Sequence, residues 1–201
     1  MDTYGSDKPD TRYGMELVDL TDVFASSAFK VFASAANTQG HVVKAINAKG
    51  AGAWPRAQID KLAKVAATFG AKGLAWIAFR EDGSVNSPIV KFFTDEEMDE
   101  LRRRCDVEPG DLVMFAAGPR READEILGGM RSHMADALDV PREGHDFLWV
   151  VDFPLFHWDE DGQRYEAEHQ PFTLPHLDEL HLLDEDPLKM GSCTYDFVMD
   201  G

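Results

Sequence analysis

The order of apolar runs predicts an α+β fold built on a mostly antiparallel sheet, with helices covering one face. Two observations carry this. Residues 29–138 read strand-strand-helix, strand-strand-helix, strand-helix, so that successive hairpins are closed by helices. The longest apolar runs are strand-sized, well short of the roughly 18–20 residues a membrane span needs. With 201 residues, 44% hydrophobic and 28% charged, the chain can bury a sizeable core as one domain or two small ones.

Residues 4–12 carry Gly5, Asp7, Pro9 and Asp10 and read as a turn-rich loop. Leu17, Leu20, Val23 and Phe24 have the spacing of one helical face, interrupted by Thr21-Asp22, which predicts a short helix or two turns. In residues 29–35, Phe29, Val31 and Ala33 alternate with Lys30, Phe32 and Ser34. That pattern predicts a strand, and the turn cluster at 37–40 would join it to a second at 41–48 as a hairpin. Pro55 suits the first turn of a helix whose stripe is Ile59, Leu62, Ala63, Ala66 and Phe69, with Gly70 as its left-handed cap.

Residues 73–80 and 88–93 predict two further strands around the turn at 81–84. Thr94 with Glu97 forms a capping box, and the helix it opens runs from Asp95-Glu96-Glu97 to Arg102-Arg103-Arg104. Both ends complement the helix dipole, which gives the triple-arginine run a structural role and weakens the case for nucleic-acid contact there. Residues 111–117 are another strand. A long helix follows, with Ile126, Leu127, Met130, Met134 and Leu138 on its apolar stripe. Residues 140–144 (VPREG) end it and predict a domain boundary.

Beyond the boundary, residues 147–153 contain one polar residue, Asp152, and predict a buried strand ended by Pro154. After a turn at 159–162, Tyr165, Ala167 and His169 alternate with Arg164, Glu166 and Glu168, so that His169 closes a strand just before Pro171. Residues 174–187 predict a loop or short helix rich in acids. Residues 189–198 predict a last strand with Cys193, Tyr195 and Phe197 on one face. A domain ending on an uncovered strand reads as part of a longer one.

The formal net charge is −17, with 16 acids against 3 bases after residue 138 and 21 against 17 before it. Such a surface repels a polyphosphate, which argues against a stand-alone nucleic-acid-binding module. Cys105 and Cys193 lie far apart without zinc-ligand spacing, and the first ten residues lack a signal peptide's basic and apolar regions, so a reduced, cytoplasmic protein is expected. His157, Asp159, His169, His176 and His181 fall close together in sequence, but at no spacing known for a metal site, and no metal is expected. No phosphate-binding glycine loop or nucleophile elbow follows a strand. His169, with Gln170 beside it, stands out by position: at a strand end it could bond a neighbour or face a substrate carboxylate or phosphate.

Four stretches carry a resemblance: YGSDKPDTRYGMEL at 4–17, FLWVVDFPLF at 147–156, AEHQPFT at 167–173 and TYDFVMDG at 194–201. Together they resemble bacterial aspartyl-tRNA synthetases, in that family's order and spacing, over the whole chain. GAKGLAWI at 70–77, SPIVKFF at 87–93 and GDLVMFAAG at 110–118 resemble the GAD insertion domain that these enzymes share with a class of tRNA-dependent amidotransferases.

The resemblance implies a two-layer, DCoH-like GAD domain at 29–138, flanked at 1–28 and 139–201 by segments of a class II catalytic core, the latter truncated before the third class II motif. It implies a parent enzyme, a homodimer with no membrane association, that uses ATP and Mg2+ to attach aspartate to tRNA. The fragment, lacking the second and third motifs, is expected to hold no cofactor and no catalytic residue and to be inactive alone, with the rest of the core as its partner. His169 corresponds to the family histidine that contacts aspartate or aspartyl-adenylate. The family has a second histidine where this chain has Gln170, so Gln170 is only an active-site neighbour. The competing readings are a non-catalytic tRNA- or protein-interaction module and a fragment of an amidotransferase.

Overall fold

The structure is a computed structural model that describes residues 1–159, 162–170 and 172–201. The chain divides into two compact units: Met1–Ser6 with Arg12–Glu143, and Asp7–Thr11 with Gly144–Gly201.

The first unit is built on a five-stranded sheet of β1 (Val18–Asp19), β2 (His41–Ala48), β3 (Ala75–Phe79), β4 (Val85–Asn86) and β5 (Leu112–Pro119). Their spatial order is β1-β2-β5-β3-β4, and every neighbouring pair is antiparallel. The antiparallel sheet is the one expected; its cover is not. Instead of one covered face there are two. Ile46, Met114 and Trp76 face α2 (Arg56–Thr68) and α4 (Arg120–Ala137), in a core with Ile59, Leu62, Leu127 and Met130. On the opposite face Val43, Phe115 and Ile77 meet α1 (Lys30–Ala36) and α3 (Asp95–Arg104), with Phe24, Phe32 and Leu101. The physical signal was already present: AWIAF and LVMFAA are continuous apolar runs rather than alternations, as strands buried on both faces must be.

Two predicted strands are absent. Residues 30–35 belong to α1, with Phe29 as its N-cap; the buried residues Phe32 and Ala35 are three apart, while Val31, which a strand would put on one face with Phe29, is 57% exposed. Local polar groups favour the helix. Ser27 Oγ accepts from Phe29 N–H, and Asn37 and Thr38 side chains donate to Ala33 and Ser34 carbonyls at the other end. The hairpin expected from 29–48 therefore does not exist. Residues 88–93 hold a 3₁₀ turn at Val90–Phe92, because β4 stops after two residues. Pro88 has no N–H for a ladder, and Ser87 Oγ donates to Trp76 O while accepting from Ile89 N–H. Of the short helix or two turns expected around Leu17–Phe24, the turn is found, over residues 21–26, preceded by β1 rather than a helix; in it Thr21 Oγ accepts from Val43 N–H where a strand backbone would have bonded.

Other readings hold. Thr94 and Glu97 form both halves of the capping box. The arginine run is tied to acids, Arg103 and Arg104 to Glu100 and Arg104 also to Asp22 at 2.6 Å. Gly70 has φ 93°, a left-handed cap after α2.

Met1–Ser6 is strapped onto this sheet. Lys44, fully buried on β2, meets Asp124 of α4 at 2.6 Å and Asp2 at 3.2 Å. Burial pushes the Asp124 carboxyl above the usual range. Burial acts in the same sense on Asp2, but hydrogen bonds from Arg120 and Lys44 outweigh it and hold that carboxyl below the range. Gly5 crosses Gly128 so closely that a Cβ on Gly128 would lie 2.2 Å from Gly5 O. One turn on, buried Arg131 donates to Gly14 O at 2.9 and 2.7 Å and lies between the rings of Tyr4 and Tyr13.

The second unit pairs β6 (Phe147–Val150) with β9 (Asp196–Met199), and β7 (Phe156–Asp159) with β8 (Arg164–Ala167), both antiparallel. A one-turn helix, α5 (Leu182–Glu185), lies in the acidic connection. The run at 147–153 is shorter than expected and not buried as a strand: Phe147 and Trp149 are 58% and 60% exposed. They share a face with Phe197 and Met199, to which they are paired. Asp152, at φ 58°, ends the strand's regular backbone, and only then do Phe153 and Leu155 enter a buried position. The turn predicted at 159–162 and the stop at Pro171 involve Glu160, Asp161 and Pro171, which lie outside the described residues.

Candidate active-site cleft

The register of the β7–β8 hairpin sets where His169 stands. Phe156 pairs with Ala167, and one step further Glu168 N–H donates to Leu155 O at 3.0 Å. The strand proper ends at Ala167, so His169 sits in the bend after it rather than as its last residue. Its imidazole packs on Phe153, with ring centroids 4.6 Å apart and the planes tilted by 58°. Gln170 O accepts from Thr173 N–H at 3.0 Å.

Phe153 is itself held firmly. Ser192 N–H donates to its carbonyl, Leu155 N–H donates to Met190 O, and Pro154 bridges Gly191. On the other side of residues 190–193, Cys193 N–H donates to Leu174 O. The segment between Met190 and Cys193 thus joins the His169 neighbourhood to β9. From β9 and its approach, Thr194 and Asp196 point to the same side, opposite Tyr195 and Phe197.

His169, Gln170, Thr173, Thr194 and Asp196 line one open cleft of about 540 Å³. Both predicted site residues are therefore brought together in it, and both are solvent-exposed. Thr173, Thr194 and Asp196 were not singled out from the sequence. The signal that could have found two of them is the alternation itself: 194, 196 and 198 form the face opposite the aromatic one, and Asp196 puts a carboxylate on it. Chemically the cleft offers an acceptor-only carboxylate, an imidazole N–H, a carboxamide and two hydroxyls, a set able to hold a small zwitterion.

The other three histidines of the 157–181 stretch lie beside acidic or carbonyl groups of their own unit. His157 Nδ1 lies 3.0 Å from a Glu168 carboxylate oxygen, with Glu166 on its other nitrogen at 3.9 Å. His176 is 3.7 Å from Glu179, and His181 bonds Asp178 O. Among the described residues no group of three or more His, Cys, Asp or Glu side chains could hold a metal ion. No helix among them is long and apolar enough to cross a membrane.

Against known families, residues 32–127 match the GAD domain model. Residues 32–127 are a GAD domain. The unit around it extends the same cores outwards, through Leu17, Leu20 and Phe24 before the matched range and Met130 and Met134 after it. The whole chain, GAD domain included, is homologous to aspartate–tRNA ligases. It is 45% identical to the aspartate–tRNA(Asp/Asn) ligase of Desulfatibacillum aliphaticivorans, covering all of this chain and 34% of the relative. It is 44% identical to the aspartate–tRNA ligase of Clostridium botulinum (strain Kyoto / Type A2), again over all of this chain and 34% of the relative. With the aspartate–tRNA(Asp/Asn) ligase of Heliobacterium modesticaldum the identity is 46%, over all of this chain and 33% of the relative. The chain therefore spans about a third of the length of the relatives it matches. These relatives match across the flanks of the GAD domain as well, and they are named as ligases.

Proposed function

We propose that this chain is part of a class II aspartate–tRNA ligase and contributes one wall of its aspartate site, with His169 as the substrate contact. The observation that carries the reading is that the similarity to aspartate–tRNA ligases, which runs over all of this chain, includes a cleft in which an imidazole, a carboxamide and a carboxylate converge. In the whole protein, aspartate would be activated with ATP and then joined to tRNA, in the cytoplasm and in a homodimer. The GAD domain at 29–138 would be an insertion between catalytic-core segments at 1–28 and 139–201.

His169 has a binding role in this account rather than that of a nucleophile or general base. Its ring, backed by Phe153, donates an N–H to a carboxylate of aspartate or aspartyl-adenylate; the Gln170 carboxamide is a second donor within reach of the same cleft. Asp196, an acceptor only, suits a cationic group of the ligand. These residues do not fit ATP or Mg2+ by themselves: among the described residues lining the cleft there is one carboxylate and no Lys or Arg. ATP and Mg2+ therefore belong to the whole protein, and no step is assigned to them here.

The 201-residue chain should accordingly fail to catalyse aspartate-dependent ATP–pyrophosphate exchange, whereas the intact ligase should catalyse it. Exchange by the chain alone above a no-aspartate control would overturn the proposed division of the site.

A further inference from the structure

The central sheet of the first unit has a gap with unmet backbone hydrogen-bonding capacity. In an antiparallel ladder, residues that exchange hydrogen bonds alternate with residues that do not. Phe79 N–H donates to Asp111 O at 2.8 Å, which makes Ile77–Val113 and Ala75–Phe115 the hydrogen-bonded pairs of β3 with β5. The next would be Gly73–Ala117, but pairing ends at Ala75–Phe115. The β2 side gives the same phase. Val43 turns its carbonyl away from β5, to Leu20 N–H, so its partner Ala117 also turns its backbone away from β2. The Ala117 N–H and C=O thus face the gap, and no partner for them is found among the described residues.

The gap is a cleft of about 620 Å³ in line with β3. Its walls are apolar on both sides of the sheet plane, Phe32 and Ile89 on one side, Ala116 and Ile126 on the other. Lys72 and Glu122 lie at its exposed rim, and neither makes an ion pair among the described residues.

We propose that this cleft takes an extended apolar segment of another polypeptide, which adds as a short strand beside residues 116–119 of β5. A strand edge within an apolar slot calls for a peptide backbone, because the C=O and N–H of one extended residue meet the Ala117 donor and acceptor together. Walls on both faces call for apolar side chains at successive positions, and the two rim charges suit a segment flanked by one basic and one acidic residue. This inference is independent of the ligase reading and concerns residues outside the His169 cleft.

The test uses the ¹⁵N-labelled 201-residue chain and a capped octapeptide with a Val-Ile-Val-Ile centre, Lys on one side and Asp on the other. Binding should shift the amides of residues 29–35, 71–75 and 116–118 and slow hydrogen exchange at Ala117. The same peptide N-methylated at its central amides should bind about tenfold more weakly. Ala117→Pro removes the donor that faces the gap. Should that variant not fold, Val31→Asp at the exposed mouth provides the same test, and it too should weaken binding. The proposal is overturned by an Ala117 amide already protected in the free chain, by equal affinity for the N-methylated peptide, or by no shifts at millimolar peptide. Shifts at these residues that grow with protein concentration alone would mean self-association and would overturn it too.

Discussion

Gly128 and Arg131 show how much a single residue decides in this chain. Neither forms part of a recognisable motif, yet one lets the Met1–Ser6 strap reach α4 and the other holds Gly14 and two tyrosines against it. In the sequence Gly128-Gly129 simply falls inside the long helix. What requires Gly128 is long-range, a backbone crossing with Gly5, and no local pattern encodes it. Gly128→Ala forces that crossing apart, and denaturant unfolding should show a loss of about 1–3 kcal/mol, an overpacking cost. An unchanged midpoint would mean the strap is not held as described.

The two cysteines differ as sharply. Burial pushes the Cys105 thiol up to about 12, whereas Cys193 is exposed. Iodoacetamide at pH 8 should add a single label to the native chain, at Cys193, and a second only in denaturant, as read by intact mass. Two labels under native conditions would contradict the packing of Cys105 beneath α3.

At the scale of elements, legibility depended on whether the deciding interactions were local. The α3 cap, the left-handed Gly70 and the stripe of α4 were readable because capping, backbone handedness and period each act within a few residues. The helix at 30–36 was not. Its apolar residues fit a period of two as well as one of 3.6, and the choice fell to side chains of Ser27, Asn37 and Thr38 bonding backbone groups nearby. The strand at 147–150 was misjudged in burial for a different reason: an apolar run reports what a strand can bury, not what this chain supplies to cover it.

The same scale sets a pH dependence. Hydrogen bonds from Arg103 and Arg104 hold the Glu100 carboxyl down at about 2, and Arg104 likewise lowers Asp22. Groups depressed on folding stabilise the fold above their ordinary values and lose that contribution as pH falls through the folded value. For Glu100 the window runs from 4.5 down to about 2. Glu100→Gln should lower the melting temperature at pH 7, and the gap from the parent chain should close between pH 4.5 and 2. A gap that persisted at pH 2 would assign the loss to packing instead of charge.

For the molecule as a whole, the sequence yielded the antiparallel sheet and the GAD domain but underestimated the sheet's cover, expecting one layer of helices where there are two. The site was half legible. His169 and Gln170 were found, while Thr194 and Asp196 needed the fold, since 25 residues separate Asp196 from Gln170 along a path through α5. The exposed aromatic face of β6 and β9 accords with a chain that spans a third of its relatives' length.

The central claim, that His169 holds aspartate by its carboxylate, is tested most directly by steady-state kinetics of the intact ligase carrying His169→Ala. Loss of one charged hydrogen bond of about 1.5–3 kcal/mol predicts a KM for aspartate raised roughly 10- to 150-fold, with the KM for ATP unchanged. An unchanged KM for aspartate would contradict it.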